Sequence, residues 1–192
     1  MVLAAGASRR MGTANKLLLD VGGRPLVAWP VEAMEAAGID PLVIVTGPSD
    51  ARVRAALADR NRRFVHNADA DRGMGSSIAV GVAALADEVD VLLICLGDLP
   101  RLRPSHVRAV LGAVRTEPEV TVVVPTHDGR RGHPVAFRAQ HFAALRALEG
   151  DFGARGIVHG AGTRARELVL ESPAILRDVD TPAALAELDD GG

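Results

Sequence analysis

The run at 89–96, VDVLLICL, is the most apolar in the chain, and it is joined by LVIVT at 42–46 and VTVVVP at 120–125. Runs of this length without polar alternation belong to strands buried on both faces. Shorter strands are expected at 2–5, 64–66 and 134–137. Between them, the stretches 25–37, 50–58, 76–86, 104–115, 140–148, 154–158 and 181–188 read as helices. Buried strands alternating with helices predict an α/β fold in three layers, with a mostly parallel central sheet. Pro25 suits a first helical turn and Gly38 a helix end, whereas Pro30 is expected to delay or bend the start of that helix. Residues 2–5 make a short strand for a buried sheet: either the strand is short, or this sequence starts downstream of the natural start.

With 192 residues, the chain suits one domain, 1–192, with a full core. Hydrophobic residues are 48% and charged residues 24%, so disordered and collagen-like classes are excluded. A net charge of −2 offers no basic face, and a nucleic-acid polymer is not an expected partner. The lone cysteine, Cys95, cannot form an internal disulfide and fits a reducing compartment. No apolar run approaches the length of a membrane span and no leader pattern opens the chain, so a soluble, cytoplasmic protein without a membrane partner is expected.

Ligands of such sheets bind outside the carboxyl ends of the strands, which directs attention to the loops after Ala5, Thr46, His66 and Leu96. Of 22 basic residues only one, Lys16, is lysine. A position that keeps lysine in so arginine-rich a chain suits a site requiring a compact ammonium instead of a planar fork. It closes the first loop, LAAGASRRMGTANK at 3–16. There, small residues let backbone N–H groups approach an anion and cations can neutralise it. This is phosphate-binding chemistry, although neither GxxxxGK[ST] nor GxGxxG is present. The central strand ends in LGDLP at 96–100, and a carboxylate there, Asp98, is placed to hold Mg²⁺ beside a bound phosphate.

These two motifs, together with GMGSSIAVG at 73–81, GRRGHPVAF at 129–137, GDFGAR at 150–155 and DVDTP at 178–182, resemble the molybdenum cofactor cytidylyltransferase family of the MobA-like nucleotidyltransferases. The resemblance runs from Leu3 to about Leu185. It implies a single Rossmann-like, nucleotide-diphospho-sugar transferase-like domain. It implies transfer of CMP from CTP to the terminal phosphate of molybdopterin, with release of pyrophosphate and with Mg²⁺ as cofactor. A molybdoenzyme recipient would be a further partner. Leu3, Ala4, Ala5, Gly6, Ala7 and Ser8 would lie along the nucleotide, with the backbone of 5–8 around its phosphates. Arg10 and Lys16 would stabilise charge on the α-phosphate and the pyrophosphate, while Arg9 is less clearly assigned. The paired alanines, Ala4 and Ala5, favour cytidine over guanosine, because the guanylyltransferase branch tends to have glycine there.

By the same resemblance, Asn67, Ser76 and Ser77 would contact base and ribose, although serines at a helix start also serve as caps. Asp98 would be the principal metal ligand. Asp178 and Asp180 are candidates for a second, with Asp180 preferred, although Asp-Thr-Pro also simply starts a helix. Gly132 and His133, in an exposed tight turn, and Asp151 and Arg155 would lie on the pterin side. The remaining histidines, His66, His106, His127, His141 and His159, have no constellation around them. Rival readings are a GTP-using or other NTP transferase of the same fold, a non-catalytic molybdenum cofactor carrier, and an enzyme like nicotine blue oxidoreductase. The last lacks support from a dinucleotide fingerprint. The lone lysine makes the sharpest variant: Lys16→Arg is expected to lose most turnover while circular dichroism and melting stay unchanged, and a wild-type rate would remove the case for a compact ammonium.

Overall fold

The computed structural model describes residues 1–6, 15–57 and 62–176. The apolar runs form the central strands: β1 (Val2–Ala4), β4 (Val43–Thr46), β5 (Arg63–His66), β6 (Val91–Leu96) and β7 (Val122–His127). With β9 (Val135–Arg138) and β10 (Ala165–Val169) they make one sheet in the order β10-β7-β9-β6-β1-β4-β5. A short β8 (Arg130–Arg131) pairs with β7 at the side. The block β5-β4-β1-β6 is parallel throughout. β9 then inserts antiparallel between β6 and β7, and β10 lies parallel to β7. The sheet is therefore mostly parallel, with β9 and the short β8 reversed.

Strand periodicity puts successive side chains on opposite faces, which divides the core in two. Val2 and Ala4 of β1 and Leu93 and Cys95 of β6 face α1 (Ala28–Ala36), α2 (Asp50–Ala56) and α4 (Pro104–Thr116). Leu3, Leu92 and Ile94 face α3 (Met74–Ala83), α5 (Phe142–Arg146) and α6 (Arg155–Gly160). This is the expected three-layer arrangement. Burial pushes the Cys95 thiol up to about 12, so it stays neutral in the core. Among the described residues, no helix is long and apolar enough to cross a membrane.

Several expectations are corrected. Helix α1 starts at Ala28 and not at 25, because Arg24 and Pro25 form β3 and pair with β2 (Asp20–Val21). The hairpin turns on Gly22 and Gly23, whose φ of +60° and +79° match a tight two-residue connection. Pro30 falls in the first turn of α1, where its missing N–H would have no helical partner, so it does not break the helix. Helix α3 begins at Met74, two residues before Ser76. The edge strand β10 was not expected, since its alternating, half-exposed residues lack a buried run. The helix expected at 181–188 lies outside the described residues.

The helix α3 approaches the sheet closely at Gly81, where a Cβ would stand 2.7 Å from Val45 Cγ2. Gly81→Val is expected to destabilise the protein by about 1–3 kcal/mol through overpacking, read as a lower urea midpoint with an unchanged slope.

Candidate active site

The chain enters β4 and β5 on one side of β1 and returns to place β6 on the other. That reversal opens a crevice at the carboxyl ends of β1 and β6. A cavity of about 410 Å³ lies there. Leu3, Ala5 and Gly6 line it from β1 and the residues just after it; Leu96, Gly97 and Asp98 line it from the end of β6.

The β1–β6 ladder sets the position of Asp98. Gly97 N–H donates to Leu3 O at 2.9 Å, one step beyond the end of β6. A Cβ at Gly97 would come within 2.8 Å of that same carbonyl, so the strands could not close as tightly with a larger residue. Leu99, 1% exposed, anchors the other side.

Lys16 is the first residue of a 3₁₀ turn, Lys16–Leu18, capped by Asn15, whose Oδ1 accepts from Leu17 N–H at 3.0 Å. Leu17 is buried, and its carbonyl accepts from Val27 N–H at 3.0 Å. The turn is thus tied to the core and to the segment leading into α1. Its lysine reaches across the crevice: Lys16 Nζ stands 2.6 Å from Asp98 Oδ2, with side-chain exposures of 16% and 12%. The other oxygen, Asp98 Oδ1, is closed off from solvent and has no hydrogen-bond partner among the described residues. A largely buried carboxylate that lines a cavity beside a strand end, with its charge met by one ammonium and its inner oxygen left unsatisfied, fits a hard divalent cation at its cavity-side oxygen. No group of three or more His, Cys, Asp or Glu side chains able to hold a metal occurs among the described residues, so Asp98 would supply one side of such a site. Asp180 and Asp178 lie outside the described residues, as do Ala7, Ser8, Arg9 and Arg10.

The opposite wall comes from α3 and the turn after α5. Ala70, Gly73, Met74, Ser77 and Asp151 contribute to it. Asn67, 1% exposed, organises this wall. Its Nδ2 donates to Ser76 Oγ at 2.9 Å and to Ser77 Oγ at 3.0 Å, and its Oδ1 accepts from Asp69 N–H at 3.0 Å. Ser76 Oγ also lies 2.8 Å from Gly73 O. Of this trio only Ser77 reaches the cavity wall. Because Ser77 Oγ accepts from Asn67, its own proton is the group it can offer a ligand.

The turn carrying Asp151 is docked on α3. Gly75 N–H donates to Gly150 O at 2.8 Å. A Cβ at Gly73 would collide with Gly150 and Asp151, and one at Gly75 would lie 2.7 Å from the Glu149 carbonyl. Gly150 and Gly153, at φ +69° and +56°, bracket Asp151 and Phe152. Arg155 is exposed at the start of α6 and does not line the cavity.

Gly132 and His133 are not in an exposed turn: Gly132 is buried and His133 half-buried. Gly132 N–H donates to Pro125 O at 2.8 Å and His133 N–H to Ile175 O at 3.0 Å. A Cβ on Gly132 would meet Ile175 O at 2.5 Å. His133 Nδ1 lies 3.3 Å from Ile94 O, which places the ring beside the second half of strand β6 and outside the cavity lining. The side chain of Ala4 points to the core face shared with α1 and α4, whereas Ala5 faces the cavity. Gly97, Gly73 and Met74 were not singled out from sequence as site residues; the glycines carry no functional group, and the signal they carry is close backbone approach.

Comparisons with known proteins bear on the family and the fold. Residues 1–167 match the family described as MobA-like NTP transferase domain. Nicotine blue oxidoreductase of Paenarthrobacter nicotinovorans is 36% identical over 160 residues, 81% of this chain and 78% of that protein. Purine catabolism protein PucB of Bacillus subtilis (strain 168) is 31% identical over 190 residues, 94% of this chain and 90% of that protein. The chain spans about a third of the bifunctional protein GlmU of Geobacter metallireducens, at 29% identity. The crystal structure of Rv0371c from Mycobacterium tuberculosis H37Rv superposes with a TM-score of 0.88 at 29% identity, over 99% of this chain and 95% of that one. The same protein has been crystallised with manganese.

Asn67→Ala removes both donors to the serines. Loss of about 1–3 kcal/mol of stability is expected in chemical denaturation, together with weaker nucleotide binding by calorimetry as Ser77 loses its orientation. Unchanged nucleotide affinity would exclude Ser77 as a ligand contact.

Proposed function

The chain belongs to the MobA-like NTP transferase domain family, and as a nucleotidyltransferase of that family we propose that it transfers CMP from CTP to the terminal phosphate of molybdopterin. One observation carries this reading: an ammonium and a largely buried carboxylate, 2.6 Å apart, stand over a cavity at the carboxyl ends of two adjacent parallel strands. The paired alanines of the first loop motif support the cytidine assignment, and Asp151 of the GDFGAR motif, on the cavity wall, supports the pterin assignment.

In the proposed reaction an oxygen of the acceptor phosphate forms a bond to the α-phosphorus of CTP. The bond from that phosphorus to the β-bridging oxygen breaks, and its electron pair leaves on pyrophosphate. A phosphate is already anionic at neutral pH, so no strong general base is required. The protein's work is positioning and charge stabilisation. Lys16 faces the charge that develops on the α-phosphate and the leaving group, and by the family motif Arg10 would join it. By the family motif the backbone of residues 5–8 would run along the phosphates, while Ser77 would orient the nucleoside and Asp151 would face the acceptor. A magnesium ion held by Asp98, with Asp180 as second ligand, would neutralise phosphate charge when bound; that Rv0371c has been crystallised with manganese supports a divalent ion as cofactor. Removing one positioned cation is expected to cost about 2–4 kcal/mol in the barrier.

A second reading has an observation in its favour. The relative at 36% identity is named an oxidoreductase, although this chain carries no GxGxxG fingerprint. Pyrophosphate release measured with each of the four ribonucleoside triphosphates, molybdopterin and Mg²⁺ separates these readings. Release that requires both CTP and the acceptor is expected. A preference for GTP would overturn the cytidine assignment. No release, with NADH-dependent dye reduction by the same preparation, would replace the reading with the oxidoreductase; neither activity would favour a carrier.

A further inference from the structure

We propose that Lys16 is a placeholder for the divalent cation at Asp98, so that binding of the metal ion displaces the lysine and delivers its ammonium to the cavity. The inference rests on the nucleotidyl-transfer reading only for what the released ammonium meets.

The two oxygens of Asp98 are not equivalent. Oδ1 is sealed from solvent and has no hydrogen-bond partner among the described residues. Oδ2 is the oxygen that Lys16 Nζ holds at 2.6 Å. An ion arriving from solvent therefore meets Asp98 through the oxygen already occupied by an ammonium. Both side chains are mostly shielded from water, so two cations sharing one carboxylate would repel each other with little screening. No group of three or more His, Cys, Asp or Glu side chains able to hold a metal occurs among the described residues.

Lysine suits this exchange better than arginine. Its ammonium is a compact point charge on a flexible stem, able to release one oxygen and reach another. An arginine presents several N–H donors in a rigid planar fork and would be harder to displace from that oxygen. The single lysine of an otherwise arginine-rich chain stands at the position where a displaceable cation is required. While no metal is bound, the pair also keeps the Asp98 charge compensated, which a shielded carboxylate requires. Filling the metal site and freeing the lysine thus become one event.

The lone lysine also makes the test direct. Protein labelled at lysine ¹³Cε gives one lysine resonance per chain. Titration with Mg²⁺ alone is expected to move that resonance toward its position in Asp98→Asn, whose own resonance should not respond. In parallel, Mn²⁺ binding by electron paramagnetic resonance is expected to be about tenfold tighter in Lys16→Met than in wild type, because the competing charge is gone. Lys16→Arg keeps a cation and is expected to stay at or below wild-type Mn²⁺ affinity. A lysine resonance that stays still while Mn²⁺ binds through Asp98 would overturn the proposal. So would Mn²⁺ affinity in Lys16→Met no greater than in wild type, an arm that does not depend on Asp98→Asn folding. Neither arm contains a nucleotide, so failure of the nucleotidyl-transfer reading would appear only in pyrophosphate release.

Discussion

The parallel ladder between β1 and β6 is the interaction on which the site depends. Cys95 N–H donates to Met1 O at 3.0 Å and Gly97 N–H to Leu3 O at 2.9 Å. This register brings the residues after β1 beside those after β6, although they are about ninety positions apart in the chain. A slip of one residue would turn Leu3 and Ala5 from one core to the other. Two separately packed cores, one on each face of the sheet, therefore guard the alignment that puts Asp98 opposite Lys16.

On that frame the site concentrates unfavourable terms. A carboxylate loses much of its hydration and, among the described residues, keeps one oxygen without a partner and meets one ammonium. Pairs of this kind contribute little net stability, because desolvation opposes attraction. Their persistence at a cavity wall is more readily understood through function. Across the cavity the chemistry is milder: a buried amide orients two hydroxyls, and the backbone of α3 approaches a turn from the far end of the chain.

Much of the fold was legible in sequence because β4, β6 and β7 are buried on both faces and their side chains need no alternation. The reversed direction of β9 was not, since an apolar strand carries no sign of which way it runs. β10 was missed because a half-exposed edge strand has no continuous apolar run. Lys16 and Asp98 were legible as candidates through residue type and position after a strand, but their 2.6 Å pairing and the inequivalence of the two carboxylate oxygens required the ladder. The turn at Gly132 and His133 was read as exposed from its tightness alone. It is covered by Ile175, a partner more than forty residues downstream that local patterning cannot reveal.

The contact between α3 and the turn at 149–151 also bears on how such a chain can diverge. Two glycines give the turn its room, and one backbone hydrogen bond holds it there. Any side chain introduced at 73 or 75 has to be answered by a shift of the turn, and a shift of the turn carries Asp151 with it. The two parts of that cavity wall, α3 and the turn, are consequently inherited as a unit. A new preference on the Asp151 side would come from exchanging what the turn displays, at Asp151 and at the exposed Phe152, rather than from reshaping its backbone.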